Sequence, residues 1–175
     1  MARTSGKAAP KSTTGDLESR AGNEEHIDLR LWLRLMTIHK LVKNEISRCL
    51  RDKFTATLPR FDLMSQLGRN PKGMRMVELS RRLMVTNGNV TAITDQLEKE
   101  GLVQRTVDPH NRSAFLIKTT PRGRRAFEAM AKEHQLWLVR LFGGLTDQEK
   151  RTLLALLGKH KTDLARSLAP PEKPS

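Results

Sequence analysis

The residues of this 175-residue chain best suited to chemistry are an amide-rich run, Asn87-Gly88-Asn89, continued by Thr91 and Ala92, with cations downstream at Arg105 and Arg112. Asn can bond an adenine edge through both amide atoms, Thr can meet a thymine methyl, and small side chains permit close approach. The chemistry this suggests is recognition, not bond breaking. His26, His39, His110, His134 and His160 lie apart, with no H-x-x-x-H pair, so no metal site is expected. No Gly-rich phosphate loop, nucleophile elbow or paired-carboxylate motif occurs either. Catalytic residues and cofactors are therefore not expected, and an enzyme is not the reading.

The elements around that run must hold it in place. Phe61, Leu63, Met64 and Leu67 indicate a short helix ending near Gly68, and Asn70-Pro71-Lys72-Gly73 has turn composition. A second short helix spans 77–83, and Met84-Val85-Thr86 leaves room only for a tight turn. A third helix is expected over 87–100, capped by Thr86 and stopped by Gly101. Val90, Ile93 and Leu97 form its core face, while Gly88, Thr91, Ala92 and Asp95 lie opposite, with Asn87 and Asn89 at its start. Beyond Gly101 the period changes to extended runs at 102–107 and 114–119, joined by Asp108-Pro109-His110-Asn111-Arg112 as a hairpin connection. Helix, turn, helix and basic hairpin is the layout of a winged helix, whose second helix enters the major groove of DNA. Asp95 on the exposed face is awkward beside phosphates. It is expected to pair with a wing cation, Arg112 first, or to remain a solvated acid.

Charge fits this layout. The formal net charge is +13 and the pI about 10.6, a balance that suits nucleic acid or an anionic membrane surface. Residues 1–25 are balanced, whereas 60–125 holds 13 basic and 6 acidic residues, so the excess lies in folded sequence. Lys72, Arg75, Arg81, Arg82 and Arg105 are candidates for phosphate contacts, each alone as readily a solvated cation. Cys49 is the single cysteine, and the longest apolar runs are too short to span a bilayer. A reduced, cytoplasmic, soluble protein without membrane contact is expected. With aromatics at 4% and no Tyr, the core must come mainly from Leu, Met, Val and Ile.

Long helices flank the centre. Over 27–53, Leu31, Leu35, Ile38, Val42, Ile46 and Cys49 form one stripe, and Leu29, Trp32, Leu33 and Met36 lie off it, so two partners are needed for burial. Helices are also expected over 121–142 and 149–168, separated by Gly143-Gly144, with Thr146-x-x-Glu149 as a capping box. Leu153, Leu157, Leu164 and Leu168 supply a further stripe. First and last helices are expected to pack together across a dimer two-fold, with a monomeric bundle as the alternative. Residues 1–25 read as a disordered tail and 169–175 as a flexible one.

The segment 76–123 resembles the MarR family, through "VELSRRLMVTNGNVTAITDQLEKEGLV", the wing "DPHNR" and "TTPRG" opening the next helix. The likeness extends over nearly all of 27–168. It departs at Asn111 and Ser113, where the family often has a second Asp and a second Arg, and at Met76, commonly a capping Thr or Ser. The resemblance implies a mainly α fold with a small β-hairpin wing: a winged helix-turn-helix lobe at about 60–120, within a domain over 26–168, plus N- and C-terminal dimerisation helices. It implies a homodimeric transcriptional regulator on a pseudo-palindromic double-stranded operator, with Arg112 entering the minor groove and Asn111 and Arg105 beside it. A small-molecule effector is also implied, an anionic aromatic acid or its coenzyme A thioester, as in the branch controlling aromatic-acid catabolism.

Trp32, Met36, His39 and Lys43 form an apolar-to-basic stripe that such an effector cleft would use, with Phe61, Met64 and Trp137 as further walls. The plainer alternative makes Trp32, Met36 and Trp137 dimer core, and His39 and Lys43 mere surface. One branch of the family senses oxidants through a thiol. Cys49 falls on the buried stripe with no Tyr to orient it, so a structural Cys is the better expectation than a redox sensor. A non-specific architectural DNA-binding protein is the remaining alternative.

Overall fold

A computed structural model describes residues 26–109 and 111–169, with Arg112 and Ser113 described by their backbone only. The expected tail over 1–25, most of the expected tail over 169–175, and His110 lie outside the described residues. The elements in chain order are α1 (Ile27–Phe54), α2 (Leu58–Gly68), β1 (Met74–Arg75), α3 (Met76–Leu83), α4 (Asn87–Lys99), β2 (Val103–Asp108), β3 (Asn111–Thr119), α5 (Pro121–Leu141) and α6 (Asp147–Ser167). The fold is mostly helical with one small antiparallel sheet, as expected. Two compact units divide the chain, Met1–Met130 and Ala131–Ser175, the boundary falling within α5.

In the first unit the core is aliphatic, as the scarcity of aromatics demands. Leu50, Leu63, Met64, Leu67, Met74, Leu79, Val90, Leu97, Val103 and Ile117 are almost wholly buried. They come from α1, α2, α3, α4 and all three strands, so one core joins every element of the lobe. Phe61 of α2 adds a ring contact with Phe127 of α5, centroids 5.6 Å apart. Helix starts and stops follow local chemistry. Pro59 sits in the first turn of α2, where its missing N–H costs nothing. The α3–α4 corner is turned by Met84 in the left-handed region, φ 54°, with Ser80 Oγ donating to the Val85 carbonyl at 2.6 Å. Thr86 caps α4 by accepting from the Asn89 amide at 3.4 Å, and Gly101, at φ 68°, turns the chain out of it.

The sheet differs from the expected hairpin in two ways. It has three strands in the order β1-β3-β2, because Met74 and Arg75 pair with Ile117 and Leu116. Gly73, at φ 93°, makes the sharp entry to β1 possible. The connection is also tighter than the five residues expected. Asp108 pairs with Asn111 in the ladder, so both strands reach into the expected connection, and the register shifts at Val107 and Asp108.

The long first helix buries only its C-terminal end, at Ile46, Cys49 and Leu50. Toward its start Leu29, Leu31, Trp32, Met36 and Ile38 are exposed in the single chain. In the second unit, α6 opens on the expected capping box: Thr146 N–H donates to Glu149 Oε2 at 2.7 Å, and Glu149 N–H to Thr146 Oγ1 at 3.3 Å. Helix α6 buries none of its residues, and Leu153, Leu154, Leu157, Leu164 and Leu168 all face outward. Leu138, Val139, Phe142, Leu153 and Leu157 line an apolar groove in this unit. Among the described residues no helix is long and apolar enough to cross a membrane.

Thr146 Oγ1 also donates to Glu149 Oε2 at 2.8 Å, and the backbone donor first and this hydroxyl second hold the Glu149 carboxyl below its ordinary range. A folded value below the unfolded one means the box stabilises the start of α6 above the ordinary carboxylate range. That contribution is lost as pH falls through the lowered value. Thr146→Ala keeps the backbone donor and removes the hydroxyl, so the Glu149 carboxyl carbon, followed by NMR titration, is expected to return only part of the way toward the ordinary Glu midpoint. An unchanged midpoint would contradict the hydroxyl's share in lowering it.

Candidate nucleic-acid interface

Helix α4 separates its residues cleanly by face. Val90, Ile93, Thr94 and Leu97 are buried, while Asn87, Gly88, Asn89, Thr91 and Ala92 are all exposed. The five residues proposed as base readers thus share the outer surface of the first two turns. Thr91 Oγ1 donates to the Asn87 carbonyl at 2.9 Å, which orients its methyl as well as its hydroxyl. Gly88 is informative through what surrounds it. A Cβ built there meets nothing within 4 Å, and its backbone is not in the left-handed region. Nothing among the described residues requires glycine here, which leaves its small size to matter to something approaching from outside.

Asp95, on the same helix, is paired. Its expected partner was a wing cation with Arg112 first; the cation found is Arg105 of β2, whose Nη2 donates to Asp95 Oδ1. The same guanidinium reaches Glu98 through Nη1, and the Arg105 backbone N–H donates to Glu98 Oε1 at 3.0 Å. The Asp95 hydrogen bond is the largest cause raising the Arg105 pKa above its ordinary value, and burial opposes it. Arg105, expected beside the wing as a DNA contact, fastens the hairpin to α4 through these two acids.

A second tie lies at the far end of the hairpin. Arg75, which precedes α3, donates to Asp108 Oδ2 from Nε at 2.8 Å and Nη2 at 2.5 Å. The Asp108 carboxylate is 4% exposed and the Arg75 side chain 49%. Burial of that carboxylate against a cation constrains where the hairpin can sit. Arg75, expected as a phosphate contact, is thus engaged within the lobe while half of its side chain stays exposed. Arg82 is held by Glu78 at 2.8 Å along α3. Lys72 and Arg81 are exposed and in no ion pair among the described residues, which leaves them the available cations of the set. Asn111 is exposed at the start of β3, and the Arg112 backbone follows it in the same strand.

Of the residues expected to line an effector cleft, those in the first unit do not all share one surface. Met36, His39 and Lys43 share one shallow surface along α1, and Trp32 is exposed further toward its start. Phe61 and Met64 are packed in the core, and Trp137 is buried in the second unit. Lys43 also lines a cavity of about 410 Å³, with Ser47 and Arg51 on one side and Leu58, Met84 and Val85 on another. Cys49 is buried, its Sγ 3.6 Å from Glu45 Oε1 and 3.9 Å from Arg48 Nη2. The sequence reading missed Glu98 and Asp108 as partners of wing and helix cations. The signal present was charge opposite charge across the turn into the hairpin.

Comparison with known proteins completes the description. Residues 56–113 match the model of the MarR family. A MarR family transcriptional regulator from Silicibacter pomeroyi has a similar structure, with TM-score 0.69, 32% identity, and coverage of 82% of this chain and 99% of that one. Wild-type apo MarR from E. coli is similar over 71% of this chain and 92% of its own, with TM-score 0.65 and 25% identity. In sequence, 85 residues are 31% identical to the HTH-type transcriptional regulator YkoM of Bacillus subtilis; the match spans 49% of this chain and 55% of that relative.

Removing donors from a buried carboxylate should cost more than removing a surface pair. Arg75→Ala is expected to lower unfolding stability by about 1.5–3 kcal/mol, the range for hydrogen bonds to a charged group. Arg82→Ala should change it by less than about 0.5 kcal/mol. Chemical denaturation of both variants measures the difference, and equal effects would refute the distinction between the two pairs.

Proposed function

The chain belongs to the MarR family of transcriptional regulators, and from that premise we propose that it is a homodimeric, sequence-specific repressor which a small aromatic acid or its coenzyme A thioester releases from DNA. The observation that carries the DNA half is the outer face of α4. Asn87, Asn89, Thr91 and Ala92 stand exposed around a glycine that the chain itself does not need. An α-helix seated in the major groove requires such a surface: amides for base edges, a methyl for thymine, and one position where bulk is absent. The hairpin, fixed to α4 at Arg105, carries Asn111 and Arg112 at the start of β3, and on this reading they are the wing contacts. A guanidinium there suits the concentrated negative potential of a narrow minor groove. Lys72 and Arg81 supply salt-sensitive contacts to phosphate.

Exposed leucines on α6 and exposed apolar residues on the first half of α1 support a two-fold dimer. Two lobes on such an axis read half-sites about one helical turn, ~10 bp, apart, which makes the operator pseudo-palindromic. The cavity beside Met84 and Val85 supports ligand control. Lys43 and Arg51 provide cations for an anionic group, and Leu58 and Val85 an apolar wall. A ligand there presses on the corner that sets the start of α4. To switch the dimer fully, it must favour the released form by about 10⁴-fold.

Selection of bound duplex from a random pool, with and without aromatic acids and their thioesters, tests both halves. A palindromic consensus is expected. On it, Arg112→Ala should weaken binding with a salt slope smaller by about one, and Asn89→Ala should alter preference among operator variants. Gly88→Leu should fold normally yet lose about 1–3 kcal/mol of operator affinity. Uniform affinity for every duplex would leave only a non-specific architectural role, and an operator complex indifferent to every acid and thioester would remove the ligand.

A further inference from the structure

The corner between α3 and α4 is turned by a side chain that the turn does not favour. Met84 takes φ 54°, in the left-handed region that L residues rarely adopt and glycine enters at little cost. Its side chain is 92% exposed, so packing does not offset that strain. The other described methionines are far less open. Met36 is 46% exposed, Met76 is half-buried, and Met64, Met74 and Met130 are buried. A thioether standing in water is the one that an oxidant reaches first.

The surroundings of Met84 give its oxidation a structural effect. Met84 borders the cavity of about 410 Å³ whose lining also includes Lys43, Ser47 and Arg51 of α1. Lys43 and Arg51 are exposed and in no ion pair among the described residues. A thioether sulfur accepts hydrogen bonds only weakly, so the reduced side chain gains little from these donors. A sulfoxide is polar, and its oxygen is a strong acceptor. The unbranched methionine side chain, with three rotatable bonds, can turn to bring that oxygen to them.

We propose that Met84 is a reversible oxidation site, and that its sulfoxide ties the α3–α4 corner to the cations of α1. With hydrogen peroxide as oxidant, a sulfur lone pair attacks one peroxide oxygen and the O–O bond breaks. The S–O bond forms, the hydroxyl proton passes to the departing hydroxide, and water leaves. Sulfur loses the two electrons that peroxide gains. A methionine sulfoxide reductase, with a dithiol as reductant, reverses the step and releases the oxygen as water. The tie bears on the start of α4. Val85 N–H donates to the Ser80 carbonyl at 3.2 Å, and Thr86, the next residue, caps the helix. A corner held to α1 therefore opens less often. The tie forms in the free chain, whether or not that chain controls an operator or takes a ligand in this cavity.

The full chain, free of DNA, is treated with hydrogen peroxide and mapped over time by peptide mass spectrometry. Met84 is expected to gain one oxygen before the other methionines of 26–169, with Met36 next. Amide exchange at Met84 and Val85, read by NMR, should then slow by about threefold or more, as one net hydrogen bond implies. Treatment with methionine sulfoxide reductase should restore the original rates. Met84→Leu should show no slowing after peroxide. Lys43→Ala combined with Arg51→Ala, both at exposed positions, should lose the slowing while Met84 still oxidises first. Oxidation of Met36 ahead of Met84, corner exchange that is unchanged or faster after oxidation, or slowing that persists in either variant would each overturn the proposal.

Discussion

The lobe depends on a single cation set between two anions. Arg105 stands on β2 and grips Asp95 and Glu98 of α4, so the helix and the hairpin move as one piece. Both acids project from the surface that would face a polyanion, and the guanidinium cancels them where they stand. The contact is partly solvent-accessible, and its value lies in geometry more than in free energy. The placement of the sheet follows from it. With β2 fixed against α4, the ladder places β3, and β3 in turn receives β1 on its other edge.

The second tie, Arg75 to Asp108, works from the opposite side. It joins the residue before α3 to the last residue of β2, so the hairpin is pinned near its root and near its tip. Between the pins lies an aliphatic core of Met74, Val103, Ile117 and Leu97, which supplies cohesion but little direction. Polar pairs give the direction. A sheet this small, with one strand of two residues, has too few ladder bonds to set its own position.

Much of this was legible in the sequence. The third helix was expected at 87–100 and forms at Asn87–Lys99, because a Thr cap, an apolar period and a Gly stop all agree. The face assignment held for the same reason: period 3.6 leaves little choice once Val90 and Leu97 are core. Strand β1 was not legible, since two residues have no period to detect. The wing connection looked longer because Asn111 and Arg112 have turn-like composition, yet β3 already starts at Asn111, which pairs with Asp108. Partners far apart in sequence escaped altogether. Arg75 meets Asp108 across 33 positions, and Arg60 meets Glu100 across 40. No local pattern encodes such pairs. Phe61 and Met64 looked like cleft walls because apolar side chains serve cores and pockets alike; Phe61 is core, and Met64 is core that also borders a cavity.

Gly88 has a consequence for how this protein can change over generations. Most positions on α4 answer to two judges, the fold and whatever docks on it. With open space around its Cβ and an ordinary backbone, Gly88 answers to one. Side chains of many sizes can be sampled there without loss of the folded population, and helix propensity favours most of them over glycine. Drift at this site is therefore not checked by stability, and persistence of glycine in a lineage would report selection from outside the chain. A duplicated copy, freed from its first target, could explore new ones through this position without first becoming unstable.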